Sequence, residues 1–433
     1  MRMYDLIQKK KEGYAHSQEE IEWIVKGYTE GSIPDYQMSA WLMAVCFQGM
    51  NHDETTQLTL AMAASGDQAD LSAISGVKVD KHSTGGVGDK TTLILAPIVA
   101  SCGVKVAKMS GRGLGTTGGT IDKLESIPGF QTAMPLSEFY RIVEEEGLCV
   151  TGQSGNMVPA DKKIYALRDV TATVDSIPLI TSSIMSKKLA AGSDAILLDV
   201  KTGSGAFMKT QEQAEELAKN MVEIGKKAGR KTAAVLTDMD KPLGRAIGNA
   251  LEVKEVIEVL NGRGPDDLRE LSLTLAAYML VLAGKGTKEE CRQMAEDAIA
   301  SGRALDRFKA MIRAQGGDES IVDDPSKLTS APYSREVLAE ESGWLARMKA
   351  GDLGEASVRL KAGRMTKEDT IDYSAGIVLA KQVGDRVEKG DVILTMYASD
   401  EALFNENEQI IKDSIQISSA PICENALILS FFD

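Results

Sequence analysis

Two glycine-rich loops hold most of the residues that could do chemistry. The first, Lys81-His82-Ser83-Thr84-Gly85-Gly86-Val87-Gly88, follows GVKVDK (76–81), which reads as a short strand, and precedes TTLILAPIVASC (91–102), which reads as an apolar helix. Glycines let a backbone approach an anion, and the free amides of a helix start favour negative charge. Lys81 supplies a cation and Ser83 a hydroxyl donor. The second loop runs from Lys108 through Ser110 to Thr120, again between a strand (GVKVAKM, 103–109) and a helix beginning near Thr120, with five glycines in the nine residues 111–119. Two such loops on one sheet suggest two walls of one anion site. A nucleoside-triphosphate P-loop is rejected, because in Gly88-Asp89-Lys90-Thr91 an aspartate stands where that motif needs its penultimate glycine. Tyr165, Arg168, Ser183 and Lys187 lie on segments that read as helices, and Ser183 and Lys187, four apart, share a face. Of three histidines only His82 falls inside a motif; His16 and His52 sit at expected helix starts and are more simply structural.

Those residues need a scaffold. Residues 17–65 read as three helices, two of them opened by capping boxes, Ser17-x-x-Glu20 and Asn51-x-x-Glu54. The middle one, opened by Pro34-Asp35, is apolar almost all round and must bury itself, a second subunit being one candidate cover. Residues 66–76 read as a linker. DAILLDVK (194–201) and TAAVLTDM (232–239) are further strands. Strands alternating with helices imply a mostly parallel sheet that binds ligands beyond its strand C-termini. Residues 160–190 are helical again. The expected architecture is therefore α/β: a small discontinuous helical domain (1–67 and 160–192), a larger α/β domain (74–156 and 193–330), and a β-rich C-terminal portion (331–433). In the last, VGDRVEKGDVILTMY (383–397) has the alternation of a β-hairpin, resembling lipoyl-type modules but without a lysine at the tip of a tight turn in the expected context. The apolar LILSFFD (427–433) receives no assignment.

Composition sets the outer limits. A chain of 433 residues with 43% hydrophobic and 26% charged residues suits a globular protein of two or three domains. A net charge of −14 argues against broad nucleic-acid binding, so an anionic substrate needs a local basic cluster. Five scattered cysteines without a CxxC pair argue against a disulfide framework or a zinc site. The charged start and the absence of an 18-residue apolar run argue for a cytoplasmic protein without a membrane partner.

The segment SGRGLGTTGGTIDKLE (110–125) resembles the long signature of the thymidine and pyrimidine-nucleoside phosphorylases. KHSTGGVGD (81–89), ADKKIYALRDVTATVDSIPLI (160–180) and VKTGSGAFM (200–208) are similar to that family as well, which has histidine at the place of Thr116. The resemblance implies phosphorolysis of uridine, deoxyuridine and thymidine in nucleoside salvage, with inorganic phosphate as co-substrate, no organic cofactor and a homodimer joined through helical domains. It implies that Lys81, His82, Ser83, Thr92, Lys108, Met109, Ser110 and Thr120 surround phosphate. Arg168, Ser183 and Lys187 would hold the pyrimidine, with His82 beneath it, hydrogen-bonding or protonating its O2. Lys108 matches the branch that accepts ribonucleosides; a strict thymidine phosphorylase is the alternative. Anthranilate phosphoribosyltransferase, of similar fold, is the remoter one. The resemblance further implies a potassium ion held by Gly88, Lys90, Leu243, Ala246 and Glu255. Relatives can offer a threonine hydroxyl at position 90. The ion is expected here because the Lys90 carbonyl can still coordinate it, the alternative being that the Lys90 ammonium bonds Glu255 directly.

Overall fold

The computed structural model describes the whole chain except Leu114, Thr116, Thr117, Ser154, Lys367, Cys423 and Glu424. The first helices are α1 (Met3–Lys11), α2 (Gln18–Thr29), α3 (Asp35–Gln48) and α4 (His52–Ala63). Both expected capping boxes form, Ser17 with Glu20 and Asn51 with Glu54. Helix α1, whose short lysine-rich sequence carries little periodicity, adds to the three helices expected. Met38, Trp41, Leu42 and Val45 of α3 are buried within the chain. The opposite stripe, Tyr36, Ala40, Met43 and Phe47, is open apart from the half-buried Met43: Tyr36 is 74% and Phe47 82% exposed. His16 is buried and accepts a hydrogen bond from Trp41 Nε1 at 3.0 Å, a packing role.

The chain then alternates: β1 (Val79–Ser83), α5 (Thr91–Ser101), β2 (Val106–Ser110), α6 (Thr120–Glu125), α7 (Leu136–Glu146) and β3 (Leu148–Gly152). It leaves the sheet for α8 (Pro159–Arg168) and α9 (Ile177–Ala190), which pack on α2, α3 and α4. It returns as β4 (Ala195–Thr202), α10 (Gln211–Lys227), β5 (Lys231–Asp238), β6 (Ala246–Ile247) and α11 (Asn249–Leu260), followed by α12 (Asp266–Leu282), α13 (Lys288–Ala300) and α14 (Arg303–Ala314). β1, β4 and β5 pair in parallel, as do β2 and β3. Helix α5 is buried from Thr91 to Ala100, which explains why its sequence is apolar on every side. Three passes of chain between helical and α/β parts are laced together. Asp67 N donates to Asn156 O at 3.0 Å and Ala69 N to Ala190 O at 2.8 Å. A Cβ on Gly66 would fall 2.1 Å from Asn156 O, and one on Gly192, whose φ is +81°, 2.3 Å from Ala69 O.

The C-terminal part holds β7 (Tyr333–Leu338), β8 (Gly343–Met348), α15 (Ala350–Arg359), β9 (Gly376–Leu379), β10 (Arg386–Val387), β11 (Val392–Ala398), α16 (Phe404–Ser414), β12 (Ile415–Ser418) and β13 (Ile428–Phe432). The hairpin expected over 383–397 does not form. Its first arm, β10, pairs with β8, and its second, β11, with β7 and β9 in a different sheet. Alternating sequence fixes which faces are apolar but not which strand is the neighbour. The tail also finds a place: β13 pairs antiparallel with β5, closing one edge of the sheet begun by β1. Among the described residues, no helix is long and apolar enough to cross a membrane.

Candidate active site

The C-terminal ends of β1 and β2 carry the two glycine loops to one cleft of about 650 Å³, whose other wall is α8 and α9. His82, Ser83, Thr92, Lys108, Met109, Ser110, Thr120, Arg168, Ser183 and Lys187 all line it. Lys81 does not. Its ammonium turns behind the loop, 3.0 Å from Asp199 Oδ2, and donates to Thr91 Oγ1 at 2.7 Å. Strand alternation explains this: Lys81 and His82 are neighbours in β1 and must point to opposite sides. Thr116 lies outside the described residues.

Beneath the first loop lies a buried, charge-balanced network. Asp199 pairs with both Lys81 and Lys201, at 3.0 Å each, and Asp89 lies within 4 Å of both ammonium groups. Ser83 donates to Asp89 Oδ2 at 2.5 Å, and Gly85 N donates to Ser83 Oγ at 3.2 Å, which shapes the turn. Burial opposes the charge on Asp89, but Lys201, Lys81 and Lys123 hold its carboxyl well below the usual range. In the second loop Gly119 is required by space: a Cβ would fall 2.1 Å from Gly113 N. Asp122 accepts from Gly113 N at 2.7 Å and from Arg364 at 2.8 Å, tying this loop to the C-terminal part.

At the cleft floor the balance is positive. Buried Asp80 meets two cations, Lys188 at 2.7 Å and Lys108 at 3.4 Å. Burial, together with Lys188 and Lys81, brings the Lys108 ammonium down to about 7, against the pull of Asp80. Half-buried His82 is held well below its ordinary value by burial and then by Lys188, Lys108, Lys81 and Lys187. Its imidazole is therefore neutral at pH 7, with one N–H to donate. A site with a neutral histidine and a second lysine, Lys108, that takes up a proton near neutrality is prepared for an incoming anion.

The helical wall is ordered by its own contacts. Lys187 donates to Ser183 Oγ at 3.0 Å and lies 2.5 Å from Asp161 Oδ2, a buried carboxylate that accepts no hydrogen bond from the described residues and whose charge also acts on Arg168. Arg168 is almost wholly buried and spends three N–H groups on the carbonyls of Thr173, Val174 and Leu179, at 2.7–3.1 Å. The Tyr165 ring lies under both cations, 5.5 Å from the Arg168 guanidinium carbon and 5.7 Å from Lys187 Nζ. Sequence reasoning missed Asp80, Asp161, Lys188 and Arg364. Asp161 and Lys188 stand within or next to the quoted motifs, but a buried ion pair spanning 108 residues, such as Asp80 with Lys188, leaves no local spacing to read.

The positions expected to hold potassium come together. The Lys90 ammonium donates to Leu243 O at 3.2 Å, to Ala246 O at 2.7 Å and to Glu255 Oε2. Gly88 (φ +74°) packs so closely that a Cβ would sit 2.6 Å from Leu243 O. The acceptor set suits a monovalent cation, and the ammonium already occupies it; these residues as arranged do not fit a potassium ion as well.

The helical bundle domain of the glycosyl transferase family matches residues 4–66 and the a/b domain of that family residues 75–305. The pyrimidine nucleoside phosphorylase C-terminal domain matches residues 344–418. The pyrimidine-nucleoside phosphorylase of Geobacillus stearothermophilus is 58% identical over 429 residues, covering 99% of both chains. That of Bacillus subtilis is 59% identical over 422 residues, 97% of both. Among solved structures, anthranilate phosphoribosyltransferase from Thermus thermophilus superposes with a TM-score of 0.58 at 18% identity, over 71% of this chain and 98% of its own. At that identity the likeness is one of fold.

Proposed function

The chain belongs to the pyrimidine-nucleoside phosphorylase family, and from that premise we propose how its cleft cleaves a pyrimidine nucleoside with inorganic phosphate. The observation that carries the reading is the opposition, across one cleft, of two glycine loops over an excess of cations and a helical wall bearing Lys187 and Arg168. Phosphate sits against the glycine loops, held by Thr92, Ser110, Thr120 and the Lys108 ammonium, beside the Met109 backbone and Ser83, whose hydroxyl hydrogen goes to Asp89 and shapes the loop. The pyrimidine lies against α8 and α9. A phosphate oxygen attacks the anomeric carbon as the glycosidic C–N bond breaks, and the bonding pair leaves with the base. Lys187 and the free N–H groups of Arg168 meet the negative charge that develops on the ring, charge absent from the ground state. Neutral His82 donates a hydrogen bond to the pyrimidine O2 and does not act as an imidazolium acid. Lys81 acts behind the loop, fixing Asp199 and Thr91. Closure of the cleft expels water, which would otherwise compete with phosphate.

Substrate range follows from Lys108. An ammonium beside the sugar pairs with a 2′-hydroxyl that an apolar wall would leave unpaired, so uridine and deoxyuridine are substrates as well as thymidine. The uncovered Tyr36–Phe47 stripe of α3 supports a homodimer joined through helical domains. The test is release of free base from uridine, deoxyuridine and thymidine with phosphate and no diphosphate compound. Cleavage of all three is expected, whereas negligible uridine cleavage beside thymidine would place the enzyme in the strictly deoxy branch.

A further inference from the structure

We propose that Lys90 is itself the monovalent cation of the Leu243–Ala246–Glu255 pocket, so that the first glycine loop is held to α11 without a bound metal ion. Three acceptors converge on one nitrogen: two main-chain carbonyls and a carboxylate. Only a protonated amine has three N–H groups to satisfy them. The side chain is completely buried, and Glu255 is 7% exposed, so the charges meet away from water and a second cation at hydrogen-bond distance would be strongly repelled. The carboxylate is itself fixed, accepting Arg245 N at 2.8 Å and Ala246 N at 3.2 Å.

A second lysine repeats the device one turn earlier on the same helix face. Lys123 pairs with Glu252 at 2.8 Å and donates to Asp89 O at 2.6 Å. Residues 89 and 90 are thus tied to α11 twice, by two buried lysines and two carboxylates three residues apart. Asp89 receives Ser83, and Thr92 follows two residues after Lys90, so this double tie sets the loop that lines the cleft. Lys90 is not among the described residues that line the cleft and is a positioning residue.

The experiment compares thermal unfolding and the apparent KM for phosphate in potassium, sodium and tetramethylammonium chloride at equal ionic strength. Wild-type protein is expected to show the same Tm and KM in all three. In Lys90→Thr, which empties the pocket but keeps its acceptors, Tm is expected to fall in tetramethylammonium and to recover with potassium or ammonium chloride. Its KM for phosphate should rise roughly tenfold or more in tetramethylammonium, within the ~100-fold that a 1 Å misplacement remote from the chemistry can cost, and that for nucleoside less. A wild-type Tm that climbs with potassium overturns the proposal, and so does a folded Lys90→Thr that answers to neither ion. If the variant folds in no salt, the wild-type comparison decides alone. Because the kinetic half rests on the phosphorylase reading while Tm needs no substrate, a protein that is salt-indifferent yet cleaves no nucleoside would sink that reading and not this one.

Discussion

Lys187 and Arg168 share a wall but differ in how much of their charge is free. Arg168 already serves three carbonyls, so Arg168→Ala leaves buried acceptors unpaired, at about 1–3 kcal/mol each, and Tm and turnover are expected to drop together. Lys187→Ala strands the Asp161 carboxylate, a separate cost that Asp161→Asn removes. The double variant Lys187→Ala/Asp161→Asn is therefore expected to regain Tm while its kcat stays roughly 100-fold down. Recovery of turnover along with Tm would make Lys187 a structural lysine. Lys108 belongs to the same scale but reports through pH. With its ammonium titrating at about 7, an anion that binds to the protonated form draws in a proton. Sulfate, whose charge is constant, should bind with full affinity below that value and weaken as the pH rises through it, by up to about tenfold per pH unit. Calorimetric titration with sulfate over this range is the measurement, and Lys108→Met should flatten the profile. A wild-type profile that is already flat would mean that Lys108 does not hold the anion.

Elements were legible where local chemistry determines them. The capping boxes at Ser17 and Asn51, the all-apolar α5, and the strands that become β1, β2, β4 and β5 could be read from adjacent residues, because each depends on caps and periodicity. Neighbours could not be read. The arms of 383–397 look like partners and join different sheets, and LILSFFD gives no sign that β5 is waiting for it. The site divides in the same way: the motif residues named from the sequence for phosphate and base line the cleft except Lys81, whereas residues acting through distant ion pairs, Asp80 and Arg364 among them, were not read. Helix α3 was expected to need cover all round, and the chain supplies it on one side only. Tyr36, Ala40, Met43 and Phe47 recur at helical spacing on the open side, an apolar seam of the kind that helices pack into. Phe47→Glu places a charge in that seam. Sedimentation is expected to show a dimer for the unmodified protein and a monomer for the variant; a dimer in both would move the interface elsewhere, and a monomer in both would overturn the proposed dimer.

For the whole molecule, the three laced passes of chain between the helical and α/β parts have a mechanical meaning. A single linker would let one part swivel or slide freely over the other. Three ligaments are pinned to each other at Asp67 and Ala69 and held close by Gly66 and Gly192, and together they are expected to act as a flexure that bends about one line while resisting shear and twist. On that expectation, a motion that brought the walls of the cleft together would be reduced to one coordinate. The base would then approach the anion along an arc set by the backbone, and the bound substrate need not select it from many trajectories.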